Sequence, residues 1–469
     1  MDTFFASLLK VLSFIGSLIG DFFSALIDAF EKKQGFNAEF GSEGDVASRF
    51  NKGFLISKHR KLTRRQSFEN VLLAGPTGSG KTTRLLLKNL YTLKNCSLII
   101  NDPSKELYFK ASGYMAQYFN LLTLNFSDSS MSSGYNLLSR VKKPSDVHKI
   151  AAMLVATTIG KNASDPFWSL QAKSLLSLFI RLVMYQEPHY QNMANVLHLL
   201  NLFAAEYDRV DRLVAGANDE KLLLDYKSFV AMPEKTLMNV VASGKAALEI
   251  FEDPEIARVT AHDSIDFDTL RLYPFALFIH NSISDQKYVS VLNSIFFEQL
   301  YGHFLNKLPA KSENDLFIIM EEASSMYIPT LPIAISNTRK HRIGNLICVQ
   351  TPGQLSTYYK DDSENITANC VTKIFLPGQT SMDVLRDIEA LSGKTTYVDK
   401  KGIEKVKSLV TIDEIRQLHK NRVLILSGNH PLIKGRTSPY FNSLIYSSYS
   451  NMEPMPLTGD IPPDPIAYL

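Results

Sequence analysis

Cysteine is scarce, with three residues (Cys96, Cys348, Cys370) in a chain of 469. They lack the CxxC or Cys/His spacing that a zinc site or a disulfide framework needs. Two of them sit inside apolar runs, so the expectation is reduced, buried thiols in a cytoplasmic setting. A strong charge of either sign is also missing. A formal net charge of +3 is too small for bulk electrostatics to imply a nucleic-acid partner. Near the N-terminus, Lys10 and Asp21 leave only ten uncharged residues between them, which argues against a transmembrane span. Asp2 stands where a signal peptide would start positive. No internal repeat is visible. What is present is ordinary for a globular chain, 45% apolar and 21% charged, and long enough for two or three domains with a sizeable core.

The most specific stretch is Gly75-Pro76-Thr77-Gly78-Ser79-Gly80-Lys81-Thr82, which fits GxxxxGK[ST] at every fixed position. The apolar run Val71-Leu72-Leu73-Ala74 before it reads as a buried strand. Lys81 to Leu93 reads as a helix. A strand–loop–helix of this kind turns backbone N–H groups toward phosphate oxygens and adds a helix N-terminus. Residues Gly75 to Thr83 form the expected nucleotide-binding set. Lys81 would reach the β- and γ-phosphates, and the Thr82 hydroxyl would ligate Mg²⁺.

Around this loop the chain divides into expected regions. Residues 1–34 hold an amphipathic stretch (3–30), read as a helix in a membrane interface or docked on a partner, or packed on its own protein. Residues 35–143 are a first α/β part with strands at 71–74, 97–100 and 121–124. Residues 144–235 read as an all-α insertion, and 236–436 as a second α/β part with strands at 275–279, 316–320, 346–349, 371–376 and 423–426. Alternating strands and helices predict a doubly wound, mostly parallel sheet. Residues 437–469 read as a flexible, exposed tail. The basic cluster Lys52, Lys58, His59, Arg60, Lys61, Arg64 and Arg65 is either a solvated loop or a contact for phosphates of lipid or DNA.

Hydrolysis needs a carboxylate near Mg²⁺ and another to orient water. Glu321 and Glu322, directly after an apolar strand, offer both: Glu321 on the metal side and Glu322 as general base. The usual first acid is Asp, so Glu321 is a departure. Asp102, which also ends an apolar strand, is a secondary site residue. Gln350 is a candidate γ-phosphate sensor, and Arg339 a candidate finger for a neighbouring subunit. Gly393-Lys394-Thr395 lacks the upstream glycine and reads as a turn.

These residues together resemble the type IV secretion coupling proteins of the TraG/TraD kind. Asp102-Pro103-Ser104-Lys105-Glu106-Leu107 is similar to that family's DPKGEL, Tyr135-Asn136-Leu137-Leu138 to its YNPL, and Asp165-Pro166-Phe167-Trp168 to its DPFW. Phe40-Gly41-Ser42 and Gly53-Phe54-Leu55-Ile56 resemble its lead into the phosphate loop. Glu321-Glu322 stands at its DE, with Arg339 and Gln350 at its arginine and glutamine, and Gly428-Asn429-His430-Pro431 at its closing G-x-x-P. The resemblance implies a RecA-like P-loop ATPase with ATP and Mg as cofactors, acting as a ring, expected as a homo-hexamer. It implies single-stranded DNA, or double-stranded DNA, as cargo, a relaxase or relaxosome protein as partner, and contact with secretion-channel components. The implied place is the cytoplasmic face of the bacterial inner membrane, held peripherally or weakly anchored because one amphipathic stretch replaces the family's two transmembrane helices. An FtsK/HerA-like translocase and a slow, nucleotide-bound docking module for secreted proteins are the alternatives.

Overall fold

The computed structural model describes residues 37–158, 166–280, 284–285 and 287–469. The amphipathic stretch at 3–30 and Asp165 lie outside them. Nine strands form the main sheet: β1 (Val71–Ala74), β2 (Cys96–Asn101), β3 (Asn120–Leu124), β4 (Phe275–Ile279), β5 (Asp315–Met320), β6 (Ile343–Val349), β7 (Thr372–Phe375), β10 (Arg422–Ser427) and β11 (Ile433–Arg436). Their order is β11-β10-β7-β1-β6-β5-β2-β4-β3. Every pairing from β7 to β3 is parallel, while β10 and β11 add an antiparallel edge. A separate antiparallel pair, β8 (Lys394–Val398) and β9 (Glu404–Ser408), stands off the main sheet.

The parallel strands are largely apolar because both faces are covered. Leu72, Ala74, Ile99, Leu316 and Ile318 pack into one core, and Val71, Leu73, Leu98, Ile100 and Phe317 into the other. Helix α1 (Leu87–Thr92) follows the phosphate loop and α2 (Glu106–Met115) follows β2, both on the second face. Between β3 and β4 come α3 (Pro144–Thr158), α4 (Pro166–Met184), α5 (Met193–Ala205), α6 (Tyr207–Gly216), α7 (Glu220–Val230), α8 (Glu234–Leu248) and α9 (Pro254–Ala261). The helical run therefore continues beyond residue 235, where the sequence placed its end, to Ala261. Helix α4 is, among the described residues, the one helix long and apolar enough by length and composition to cross a membrane. Its Leu175, Leu176, Phe179, Ile180 and Val183 are buried in the core shared with the first face of the sheet.

Later helices are α10 (Ser290–Asn306), α11 (Leu331–Asn337) and α12 (Met382–Ser392). Gly393, at φ +79°, ends α12, and Lys394 opens β8 rather than a turn. The expected tail also requires correction. Residues 444–450 form helix α13 (Leu444–Ser450), whose Tyr449 stacks on Tyr114 with ring centroids 3.9 Å apart. Tyr446 packs on Tyr91 at 6.0 Å, so aromatics three residues apart give this helix a sticky face that its Ser-rich composition conceals. The strap beyond it is pinned by Gly459 N–H to the Ser130 carbonyl (2.6 Å) and by Leu469 N–H to Asn195 Oδ1 (3.0 Å).

Candidate nucleotide site

The C-terminal ends of β1, β6, β5, β2 and β4 lie side by side, because Ala74 pairs with Val349, Met320 with both Ile347 and Asn101, and Asn101 with Ile279. The residues that follow, Gly75, Gln350, Glu321, Asp102 and His280, are thereby collected at one rim, where open α/β sheets bind ligands. Gly75 N–H extends the ladder by one bond to the Val349 carbonyl (3.1 Å). Gly78 and Gly80 then take φ +79° and +87°, which only glycine adopts without strain. A Cβ on Gly78 would meet nothing within 4 Å, so the loop is open on that side. Ser79 Oγ is buried without a hydrogen-bond partner. Thr82–Leu86 is a π-helical turn that runs into α1.

Lys81 Nζ donates to the Gly75 carbonyl (2.5 Å), and Thr82 Oγ1 donates to Glu321 Oε1 (2.9 Å). Thr83 Oγ1 reaches the Gly80 carbonyl at 3.5 Å. Burial first, and the nearby Asp102 carboxylate second, push the Glu321 carboxyl up to about 7, against the Thr82 hydrogen bond and the Lys81 charge. Glu322 accepts a hydrogen bond from the Ser324 hydroxyl, and Gln350 N–H is held by Gln354 Oε1 (2.8 Å). Among the described residues no three His, Cys, Asp or Glu side chains gather as a metal site. The adjacent oxygens of Thr82 and Glu321 are of the hard type that Mg²⁺ takes, and would hold it together with phosphate oxygens. The unpartnered Ser79 hydroxyl, the open space at Gly78 and Lys81 fit a polyphosphate.

The sequence matches the family described as Type IV secretory system Conjugative DNA transfer over residues 27–456. The chain belongs to that family. Among solved structures it is similar to the bacterial conjugative coupling protein TrwBdeltaN70 in complex with sulphate, at 18% identity and TM-score 0.66, covering 86% of this chain and 94% of that one. TrwB in complex with ADP and Mg²⁺ matches at 18% identity and TM-score 0.66, covering 85% and 92%. VirB4 of Thermoanaerobacter pseudethanolicus matches at 11% identity and TM-score 0.51, covering 86% and 100%. No curated protein sequence matches. The family assignment and the fold, a RecA-like P-loop NTPase with an all-α domain, agree with the motif-based reading.

Asp102, the rival acid, is fully buried, and its two oxygens accept Leu107 N–H (3.2 Å) and Tyr108 N–H (2.8 Å), capping α2. Burial pushes its carboxyl up to about 6. Two contributors at this rim escaped the sequence reading. His280, pushed down to about 4 by burial and so neutral, holds Nδ1 3.1 Å from the Asp102 carbonyl. Gln379, after β7, donates to the carbonyls of Ala74 (3.2 Å) and Leu376 (3.0 Å), bracing the start of the phosphate loop. Their only signal was a polar residue just beyond an apolar strand.

Arg339 is elsewhere. It lies on the turn Thr338–His341 before β6, half-exposed and paired with Glu69 (3.0 Å). Gln350 leaves the opposite end of the same strand, roughly 20 Å away along seven extended residues. Arg339 opens onto a pocket of about 390 Å³ lined by Arg65, Phe68, Ser336, Asn337 and Lys340. Next to this turn, through Thr338, lies Asn70, at φ +61° and fully buried. Its Oδ1 accepts from Asn345 Nδ2 (2.7 Å), Asn345 N–H (3.1 Å) and Thr338 Oγ1 (3.3 Å). Its Nδ2 donates to the carbonyls of Ile335 (3.0 Å) and Asn369 (3.3 Å). One amide thus ties the Arg339 turn to β1, β6 and α11.

Proposed function

We propose that the protein is an ATP-hydrolysing coupling protein that recruits a relaxase–DNA complex and drives single-stranded DNA, or double-stranded DNA, through a conjugative type IV secretion channel. The observation that carries this reading is the Thr82–Glu321 contact beside a complete phosphate loop, in a chain of the conjugative DNA transfer family. The occupants of the TrwB structures, ADP with Mg²⁺ and a non-hydrolysable ATP analogue, support ATP and Mg for this chain. In this reading Lys81 neutralises phosphate charge and Thr82 with Glu321 holds Mg²⁺. Glu322 takes the proton of the attacking water, and Gln350 senses the γ-phosphate. Arg339, at the far end of β6, serves the site of a neighbouring subunit in a ring of six. The protein works at the cytoplasmic face of the inner membrane, with residues 3–30 in contact with the bilayer or a membrane partner.

The elevated Glu321 carboxyl, in a position usually held by Asp, favours a second reading, a slow nucleotide-bound docking module. Measuring ATP hydrolysis with and without single-stranded DNA separates the two. Strong stimulation is the expected result, and a flat, slow rate would assign the docking role.

A further inference from the structure

The β8–β9 hairpin is exposed along nearly its whole length and carries large apolar side chains outward: Tyr397 is 42% exposed, Val398 63%, Ile403 55% and Val406 50%. Lys394, Lys400, Lys401, Lys405 and Lys407 accompany them, against Asp399 and Glu404 as the only carboxylates. Asp399 is already engaged. It pairs with Lys405 (2.8 Å) and accepts Lys401 N–H (2.8 Å) and Ile403 N–H (3.1 Å), which shapes the turn. The tip therefore presents Lys400 and Lys401 beside Val398 and Ile403. Among the described residues neither lysine has a carboxylate partner.

The hairpin sits where the N-terminal segment enters the fold. Asn37 bridges to Thr395, and Ala38 N–H donates to the Lys394 carbonyl (2.9 Å). Further along, Gly41 N–H joins the Leu432 carbonyl (3.0 Å), at the edge strand β11. That edge displays Lys434 and Arg436, with Lys434 Nζ 5.9 Å from the ring centre of Phe40, itself 41% exposed. The segment that precedes this surface, residues 3–30, is the one whose sequence is expected to be amphipathic.

We propose that the β8–β9 hairpin, with Phe40, Lys434 and Arg436 beside it, is a membrane-facing surface that binds an anionic phospholipid bilayer. It rests on the reading that residues 3–30 meet the membrane, and it assigns a second contact to the folded body. Lys400 and Lys401 meet headgroup phosphates, while Val398, Ile403 and Tyr397 enter the interfacial layer. A nucleic-acid surface would share the lysines and could also use Tyr397, Phe40 and Arg436, but the aliphatic Val398 and Ile403 at the tip offer bases no plane to stack on and favour the bilayer.

The test uses the full-length protein with Ile403→Cys carrying a polarity-sensitive fluorophore, selective because Cys96, Cys348 and Cys370 are buried. Vesicles containing phosphatidylglycerol should shift its emission to the blue. Vesicles of phosphatidylcholine alone should not, and raised salt should reverse the shift. The double variant Lys400→Gln, Lys401→Gln should weaken binding to the anionic vesicles on the order of tenfold and leave ATP hydrolysis unchanged. If the protein floats with anionic vesicles while the probe at residue 403 stays unshifted, the hairpin proposal fails and the membrane reading survives. If the protein floats with neither vesicle, both fail. A shift produced by a single-stranded oligonucleotide and not by vesicles would reassign the surface to nucleic acid.

Discussion

Thr82 Oγ1 donates a 2.9 Å hydrogen bond to Glu321 Oε1 across β6, which lies between their two strands in the sheet. The contact brings the hydroxyl at the end of the phosphate loop and the strand-end acid together before any ligand is considered. Glutamate is one methylene longer than the usual aspartate, and with that longer side chain it contacts Thr82 directly.

The Glu321 carboxyl is, with Asp102, one of two pH-sensitive acids at this rim. Ordinarily near 4.5, it is pushed up to about 7 by burial and by Asp102. The folded protein thus holds a proton between about 4.5 and 7 that the unfolded chain releases. This group's contribution to stability is present at low pH and lost as pH rises through 7. In the proposed role Mg²⁺ binding needs the carboxylate and should weaken as pH falls through the same range. Mg²⁺ titrations of nucleotide binding at pH 6 and pH 8 should show this difference, and Glu321→Gln should abolish it. In thermal unfolding, Glu321→Gln should gain stability relative to the native protein on going from pH 5 to pH 8.

Glu322→Gln should bind ATP with near-native affinity but lower the turnover rate by about 10²- to 10⁴-fold, the range lost with a general base. Single-turnover hydrolysis and a nucleotide-binding titration check the two halves separately. Loss of binding would give Glu322 a structural role through Ser324 instead.

Asn70→Ala should destabilise the protein by about 3 kcal/mol or more, since it strands buried groups on four segments and keeps a left-handed backbone without the Asn side chain. Asn70→Gly loses the same bonds but tolerates φ +61°, so it should be about 1 kcal/mol less damaging. Denaturant midpoints at unchanged slope measure both.

Much of this architecture is legible in the sequence, for physical reasons. Strands in a sheet covered on both faces read as largely apolar runs, so the parallel β1 through β7 and the antiparallel β10 are visible as such. The edge strand β11 is not, because Ile433-Lys434-Gly435-Arg436 alternates over only four residues and is charged to protect an edge. The phosphate loop and Glu321 are legible because spacing along the chain encodes their chemistry. Asn70 and Gln379 are not, since each acts on partners hundreds of residues away or on backbone carbonyls that any sequence supplies. The strap after Thr437 was hidden by composition: its anchors are Tyr446, Tyr449 and the C-terminal carbonyls of Ala467 and Leu469.

Placing Arg339 at the far end of β6 makes a sharper prediction than a single loss of function. Within one subunit its guanidinium cannot reach the phosphate loop, so the finger role requires a neighbour. Lys81→Ala and Arg339→Ala should each remove DNA-stimulated ATP hydrolysis, the second by about 10³-fold or more, and both should leave thermal unfolding nearly unchanged. Mixing the two inactive proteins should restore activity. A subunit carrying Arg339→Ala keeps its own Lys81, and a Lys81→Ala neighbour lends it an intact Arg339. Under random assembly into a head-to-tail ring, roughly a quarter of the interfaces regain both residues. Activity near that fraction of the native rate is expected from an equimolar mixture. If the mixture stays inactive while native protein mixed with either variant exchanges subunits, Arg339 does not act across the boundary. Its pairing with Glu69 then becomes its role.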